Sequence, residues 1–225
     1  MSIIMNILEV IRTRKSVRTF DKNKITKDDK QKLSSYIGTI INPYEIPVEF
    51  IFLDSQKHNL SSEVIEGEDF YIVAKVKKQE NCEAAYGYSF EKMILYAWSL
   101  GIGTTWIGGT FDRSLFEKAA DTDNDEYMMI ATPVGYPADT PSMVDTKLRQ
   151  MVKGDERLPS SELFFDGDFL TPLESDDEWI SAVRWAPSAA NRQPWRIVKD
   201  DENYHFFLEH DKGYSSGVEW DVQKN

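Results

Sequence analysis

The sequence predicts an α+β fold, in which helices and strands follow one another without the regular strand-helix-strand order of a doubly wound sheet. Two observations support this class. Some segments place apolar residues at helical spacing, and others are short runs of β-branched and aromatic residues. The chain has 225 residues, of which 41% are hydrophobic and 12% aromatic, and this is enough for a sizeable core.

The first part of the chain predicts two helices followed by two strands. Apolar residues at helical spacing indicate the first helix: Ile3, Ile4, Ile7, Leu8 and Ile11. Thr26, with Asp29 three residues later, indicates the start of a second helix that Gly38 can end. The runs at 48–53 and 70–76 predict strands.

The rest of the chain continues the mixture of helices and strands. Residues 88–101 are apolar on almost every side, which predicts a central buried helix ending at Gly101. Asp112 is expected to cap a short helix, and Ser175 with Glu178 has the spacing of a capping box for another. Three further runs predict strands, at 127–135, 195–200 and 204–210.

Charge and cysteine content limit the classes of partner. The chain has 38 acidic and 26 basic residues, a net charge of −12 and a pI of about 4.8, so its field repels nucleic acid and anionic lipid. The single cysteine, Cys82, cannot form an intrachain disulfide, and no run has the pattern of a signal peptide. Residues 93–111 are too interrupted for a membrane span. With one cysteine, no signal-peptide pattern and no membrane span, we expect a cytoplasmic protein.

A weak internal repeat divides the chain in two. The run "TFDKNKIT", at 19–26, resembles "FFDGDFLT", at 164–171, with Phe, Asp and Thr matched at an offset of 145 residues. Each copy precedes a predicted helix and then a strand. The repeat predicts two related half-domains, at residues 1–145 and 146–225.

Two segments carry residue types suited to a ligand, and each half has one of them. In "RKSVRTF", at 14–20, Arg14, Ser16 and Arg18 share one side of an extended chain and suit a phosphate. The alternative is a solvated basic turn. In "APSAANRQPW", at 186–195, small residues let a flat ring approach the backbone, and amides can satisfy its polar edge.

Other patterns predict no site. The run "GIGTTWIGG", at 101–109, lacks the spacing and the preceding strand of a dinucleotide fingerprint, and alone it indicates a helix stop and turn. The acidic run at 121–126 lacks the glycine and the terminal acid of a calcium loop. Three isolated histidines, His58, His205 and His210, predict no metal site.

Four blocks together resemble the FMN-dependent nitroreductase family, and in particular its subgroup with two halves in one chain that mimic the family homodimer. The blocks are "RKSVRTF", "SLGIGTTWIGG", "PVGYP" and "APSAANRQPWRI". In most members some thirty residues separate the arginine arm from the Pro-Ser-Ala block, whereas here about 170 do. The resemblance therefore implies that the arm of one half and the Pro-Ser-Ala block of the other complete one FMN site.

The resemblance also implies which residues hold the cofactor. The phosphate would be held by Arg14, Lys15, Ser16 and Arg18, with Arg157 as a further cation. The ring would be lined by Pro187, Ser188, Ala189, Asn191 and Gln193. Backbone N–H groups around Trp106, Ile107, Gly108 and Gly109 would lie near the redox-active edge of the flavin.

The implied reaction passes hydride from NAD(P)H to FMN and then to an oxidised acceptor such as a nitroaromatic or a quinone, with no protein nucleophile. Two alternatives remain: an FMN-binding protein without turnover, and a related flavin enzyme that removes halide or fragments the flavin.

Two further expectations concern single features. Asn191→Leu is expected to change flavin properties while leaving the free energy of unfolding within about 1 kcal/mol. The repeat predicts a counterpart of the buried helix beyond Asn225, so we expect that the native chain is longer or that its tail was cut, and that the core of the second half is incompletely covered. An uncovered apolar face there would favour association, and we expect the protein to be a monomer or a weak homodimer.

Overall fold

A computed structural model describes residues 6–175 and 177–210. The expectations that involve Ile3, Ile4 and the end of the chain lie outside these residues. The helices are α1 Ile7–Thr13, α2 Lys27–Ile37, α3 Ser55–His58, α4 Cys82–Ser99, α5 Arg113–Ala119, α6 Met143–Met151 and α7 Glu178–Arg184. The strands are β1 Val48–Leu53, β2 Phe70–Lys77, β3 Gly103–Thr104, β4 Glu126–Tyr127, β5 Ala131–Gly135, β6 Phe164–Asp166, β7 Trp195–Asp200 and β8 Asn203–Leu208.

The strands form two separate sheets, which confirms the α+β class. The larger sheet is antiparallel and has the order β1-β2-β5-β3, with β4 paired to the end of β2. The smaller sheet has the order β6-β7-β8, with β6 parallel and β8 antiparallel to β7. The predicted half-domain boundary at residue 145 falls within α6.

Strand β2 is buried on both faces, which explains its almost continuous apolar sequence. On one face Ile72 and Ala74 pack in the same cluster as Phe90 and Met93 of α4. The other face contributes Tyr71 and Val73 to a second cluster, which includes Phe116 of α5. Helix α4 is therefore the central buried helix that the sequence predicts, although it begins six residues earlier, at Cys82.

The end of α4 confirms the predicted stop near Gly101. The helix ends at Ser99, and Gly101 has a φ of +75°, a left-handed conformation that glycine adopts readily. The next glycine, Gly103, is required by packing. A Cβ there would lie 2.9 Å from atoms of Val17 in the segment that follows α1.

The predicted strand at 127–135 is wrong in one respect, because it is interrupted between β4 and β5. At the interruption, the guanidinium of Arg113 donates to the carbonyl oxygens of Met128 and Met129. The hydroxyl of Tyr86 donates to the carbonyl oxygen of Ile130 and accepts from its N–H. Side chains thus replace the partners that a neighbouring strand would supply.

Helix capping is confirmed at three positions and wrong at one. Thr26 accepts from the N–H of Asp29 at 3.1 Å, Gly38 follows the last residue of α2, and Asp112 caps α5. The capping box at Ser175 is wrong: α7 begins at Glu178 with Asp177 as its N-cap residue. The Ser175 hydroxyl instead accepts from the N–H of Asp177 at 3.2 Å. The predicted strands at 48–53 and 70–76 and the two last strands are confirmed.

Within the residues that the structure describes, no helix combines the length and apolar character required to cross a membrane.

Candidate functional site

The arginine-containing arm leaves α1 and runs along the edge of the larger sheet. Arg14 follows the last residue of α1 in an extended conformation, and its N–H donates to the Val10 carbonyl oxygen at 2.8 Å. Ser16 pairs with Thr104 of β3, and the N–H of Val17 donates to the Thr104 carbonyl oxygen at 2.9 Å. The backbone of the arm is therefore fixed by β3.

Arg14 is buried, with 4% of its side chain exposed, and it lies against a carboxylate from the central helix. Its Nε is 3.7 Å from Oε1 of Glu91. The other carboxylate oxygen, Oε2, accepts from the indole Nε1 of Trp106 at 3.0 Å. Desolvation by the surrounding protein raises the pKa of Glu91, against the opposing effects of the Arg14 charge and the Trp106 hydrogen bond. Nη1 of Arg14 is buried without a hydrogen-bond partner among the described residues.

The other residues of the arm differ in what they contact. The Arg18 guanidinium forms an ion pair with the buried Asp145 of α6, at 3.2 Å, and its N–H donates to the same carboxylate. The carbonyl oxygen of Ser16 accepts from Arg149 at 2.7 Å, while Lys15 is exposed. Helix α6 therefore fastens the arm through one carboxylate and one guanidinium.

The segment at 106–109 is fixed mainly by its backbone. The N–H of Ile107 donates to the carbonyl oxygen of Ala131 at 3.0 Å, and its side chain is buried in the second core cluster. Since β5 already accepts from the N–H of Ile107, any contact of this segment with a flavin would fall to its other N–H groups. Gly108 and Gly109 are exposed, and Arg113 donates to the Gly108 carbonyl oxygen at 2.8 Å.

The loop containing the Pro-Ser-Ala block turns through left-handed residues. Ala190, Asn191 and Gln193 have φ values of +49°, +57° and +51°. The Ser188 hydroxyl accepts from the N–H of Gln193 at 2.9 Å, and the Gln193 side-chain oxygen accepts from the N–H of Leu158 at 2.9 Å. Pro187 is half-buried and precedes this turn, whereas Ala189 is exposed on it.

The side chain of Asn191 is held by the preceding segment at 153–157. Its amide nitrogen donates to the carbonyl oxygens of Lys153, at 2.8 Å, and Glu156, at 3.1 Å. Its oxygen accepts from the guanidinium of Arg157 at 3.3 Å. These contacts make Asn191 a structural anchor of its loop, so its replacement is now expected to lower the stability of the fold, contrary to the expectation from sequence.

Arg157 lies at the centre of this loop and close to the arm of the first half. Its guanidinium stacks on the Trp185 ring at 4.8 Å, and its Nε is buried without a partner among the described residues. Burial lowers its pKa, and the positive charges of Arg14 and Arg184 lower it further, whereas Asp155 opposes them. A guanidinium stays protonated, so Arg157 carries its charge in a partly desolvated place, with other positive charges acting on it.

The structure thus brings the two predicted segments together. Helices α1 and α7 pack against each other, and Arg12 forms an ion pair with Glu178 across their contact at 3.5 Å. We call Arg14, Arg157 and Arg184 the cationic cluster, because the charges of Arg14 and Arg184 both lower the pKa of Arg157. Arg184 donates to the Leu158 carbonyl oxygen.

Four residues of this arrangement are missing from the sequence-based predictions: Glu91, Asp145, Arg149 and Arg184. Only Glu91 gave a signal, as a carboxylate inside an otherwise almost wholly apolar helix. The others are charged residues of short helices. The sequence does not show which of the charged residues in such a helix contacts another segment.

Comparisons with solved structures identify the fold. A structure described as a "putative nitroreductase" of Thermotoga maritima aligns with a TM-score of 0.62 and 22% identity, over 93% of this chain and 78% of that chain. An FMN-dependent nitroreductase of Clostridium difficile R20291 has a TM-score of 0.51 and 14% identity, over 61% and 92%. An oxidised iodotyrosine deiodinase bound to FMN and 3-iodo-L-tyrosine has a TM-score of 0.50 and 16% identity, over 60% and 91%.

Comparison with curated proteins finds no match. The model of the family described as "Putative TM nitroreductase" matches residues 6–219, which is nearly the whole chain. The chain has the α+β fold of the nitroreductases and belongs to that family.

Proposed function

We propose that this protein binds FMN and passes hydride from NAD(P)H to an oxidised acceptor such as a nitroaromatic or a quinone. Membership of the nitroreductase family supports the proposal, as do structural relatives that are described as FMN-dependent or bound to FMN.

Two buried guanidinium nitrogens are the observation that carries the proposal. Arg14 Nη1 and Arg157 Nε are donors without a partner among the described residues, although both are shielded from water. An unsatisfied buried donor is costly, and repulsion between the two cations adds to that cost. A phosphate would accept from both groups and neutralise their charge. In a chain of net charge −12, such a cluster is a specific feature rather than part of a basic surface.

The residues fit FMN at two places, its phosphate and its ring. Arg14 and Arg157, with Ser16 and the exposed Lys15 nearby, would hold the phosphate. Arg18, which is paired with Asp145, would mainly hold the arm against α6. If Arg18 is to contact the phosphate, as the resemblance implies, the ion pair between Arg18 and Asp145 would have to open.

The ring would lie against the Pro-Ser-Ala loop and the segment at 106–109. Ala189 and Gly109 are exposed, and a Cβ added at Gly109 would meet no atom within 4 Å. When bound, FMN supplies a ring that accepts and donates hydride. The protein orients this ring and limits the access of water to it.

The proposed site would draw on both predicted halves, because Arg14 belongs to the first and Arg157 and Asn191 to the second. This supports the further proposal that the halves mimic the two subunits of a dimeric relative. We expect one FMN per chain, bound by a particle whose mass by light scattering is that of a monomer. If only a dimer binds FMN, the proposal that one chain mimics two subunits is contradicted.

Titration with FMN tests the cofactor proposal. Hydrogen bonds to charged groups are worth roughly 1.5–3 kcal/mol, so Arg14→Ala is expected to weaken FMN binding by about 10- to 100-fold. Arg157→Ala should act in the same direction. Arg12→Ala is the matched control, since Arg12 lies two residues earlier, half of its side chain is exposed, and an exposed ion pair such as the one with Glu178 contributes little. Wild-type protein that neither binds FMN nor shows a flavin spectrum would refute the proposal.

Oxidation of NADH or NADPH, with and without a nitroaromatic or quinone, tests turnover. We expect consumption of the nicotinamide to require the acceptor and bound FMN. Flavin binding without nicotinamide oxidation would favour a binding protein. Release of iodide from an iodinated tyrosine, or breakdown of the flavin itself, would favour the related chemistries.

A further inference from the structure

Next to the cationic cluster lies one half-buried acidic side chain that the proposed function does not use. Glu91 lies in α4 between Arg14 and Trp106, and 26% of its side chain remains exposed. Its two carboxylate oxygens contact two different elements, the arm and the segment at 106–109. A carboxylate so placed costs desolvation energy, as the direction of its pKa indicates, so its position calls for a role.

The ion pair between Arg14 and Glu91 involves only one nitrogen of the guanidinium. Glu91 lies against Nε, on the inner edge of the guanidinium, at 3.7 Å. The Nη1 atom is left without a partner among the described residues. A guanidinium is planar and rigid, so fixing Nε fixes the direction of both terminal nitrogens. Glu91 therefore leaves the terminal donor Nη1 available to an anion.

The hydrogen bond from Trp106 links Glu91 to the segment at 106–109 as well. The indole N–H of Trp106 donates to the same carboxylate at 3.0 Å, and Gly108 and Gly109 follow directly in the chain. One side chain thus sets the arm relative to the segment at 106–109, although 90 or so residues separate the two segments in sequence.

We propose that Glu91 is a positioning residue, which orients Arg14 toward the phosphate of the flavin through one carboxylate oxygen and holds Trp106 beside the ring through the other. This inference rests on the proposed function, because it assumes that a flavin phosphate is the anion at Arg14.

Glu91→Gln separates the two contacts. Glutamine keeps the size of the side chain and an oxygen that accepts from the indole of Trp106, but it lacks the charge that pairs with Arg14. Since charge-assisted bonds are the strong ones, we expect FMN binding to weaken about tenfold. Riboflavin has no phosphate, so its affinity should change less than about twofold. Glu83→Gln removes one charge from the same helix and should alter neither affinity.

Two results would overturn the inference. Unchanged or tighter FMN binding would mean that Glu91 merely competes with the phosphate for the arginine. An equal loss of FMN and riboflavin affinity would mean that it acts on the fold rather than on Arg14. If Glu91→Gln does not fold, as judged by thermal unfolding, Trp106→Phe replaces it. Loss of the indole donor should then weaken both flavins, and unchanged affinities would overturn the inference.

Inorganic phosphate distinguishes this inference from the proposed function. If wild-type protein binds no flavin, the proposed function fails. Glu91→Gln can still be compared with wild type for phosphate binding, where weaker binding by the variant supports the positioning role. Equal phosphate binding by the two proteins overturns it.

Discussion

The larger sheet is enclosed by apolar packing, whereas the smaller sheet depends more on polar contacts. In the larger sheet, β2 is buried on both faces and α4 contributes a row of fully buried side chains. The core beside the smaller sheet comprises Leu163, Phe164, Ile180 and Ile197. At its margin, Phe169 and Phe207 remain 50% and 46% exposed, in edge-to-face contact at 5.0 Å.

Hydrogen bonds from long polar side chains compensate for the small core. Arg157, Arg184, Asn191 and Gln193 all bond to the backbone of the segment at 153–158 or of neighbouring loops. Several of these residues are also the proposed flavin ligands. In the region of the smaller sheet, binding and folding therefore use the same side chains. Replacing a site residue there is more damaging to the fold than replacing a site residue beside the larger sheet.

The largest effect is expected from the same substitution, Phe→Ala, made once in the core of each sheet. Phe90 and Phe164 are both fully buried, and Phe→Ala changes in cores cost about 3–5 kcal/mol. We expect Phe90→Ala to lower the free energy of unfolding by about 4 kcal/mol, across the whole chain. Phe164→Ala should speed hydrogen exchange in β6, β7 and β8 while β2 and β5 stay protected. Equal loss of protection in both sheets would remove the distinction between them.

The intermediate effect tests the polar contacts of the second region. Asn191→Leu removes three hydrogen bonds, each with a net value of about 1 kcal/mol, and places leucine at a left-handed φ. We therefore expect a loss of about 3 kcal/mol in denaturant unfolding.

The control for this change is Asn203→Leu, at the exposed start of β8, which should stay within about 0.5 kcal/mol of wild type. A small effect of Asn191→Leu, equal to that of the control, would show that the loop does not depend on this side chain.

The smallest effect compares the helix starts of the two regions. Thr26 caps α2 through its hydroxyl, so Thr26→Ala should cost about 1 kcal/mol. Ser175 lies outside α7 and should tolerate alanine within about 0.5 kcal/mol. Thermal unfolding of the two variants measures the difference. A larger loss for Ser175→Ala would restore the capping box that the sequence predicted.

The predictions from sequence were accurate where a segment decides its own structure. Strands 48–53 and 70–76, the cap at Thr26 and the stop near Gly101 follow from side-chain period and local hydrogen bonding. They failed where a distant side chain intervened. Arg113 and Tyr86 interrupt the strand at 127–135 by supplying partners for its backbone, and no local pattern records this.

The sequence by itself determined the α+β class, the apolar character of α4 and the two segments whose residue types suit a phosphate and a flat ring. The tertiary structure decided which of their donors are available. Arg18 is paired with Asp145, 127 residues away, whereas Nη1 of Arg14 has no hydrogen-bond partner within the described part of the chain. The physical reason is that periodicity specifies which face of a segment is buried. The partner of a charged side chain depends on how the segments pack, and that is settled only when the whole chain has folded.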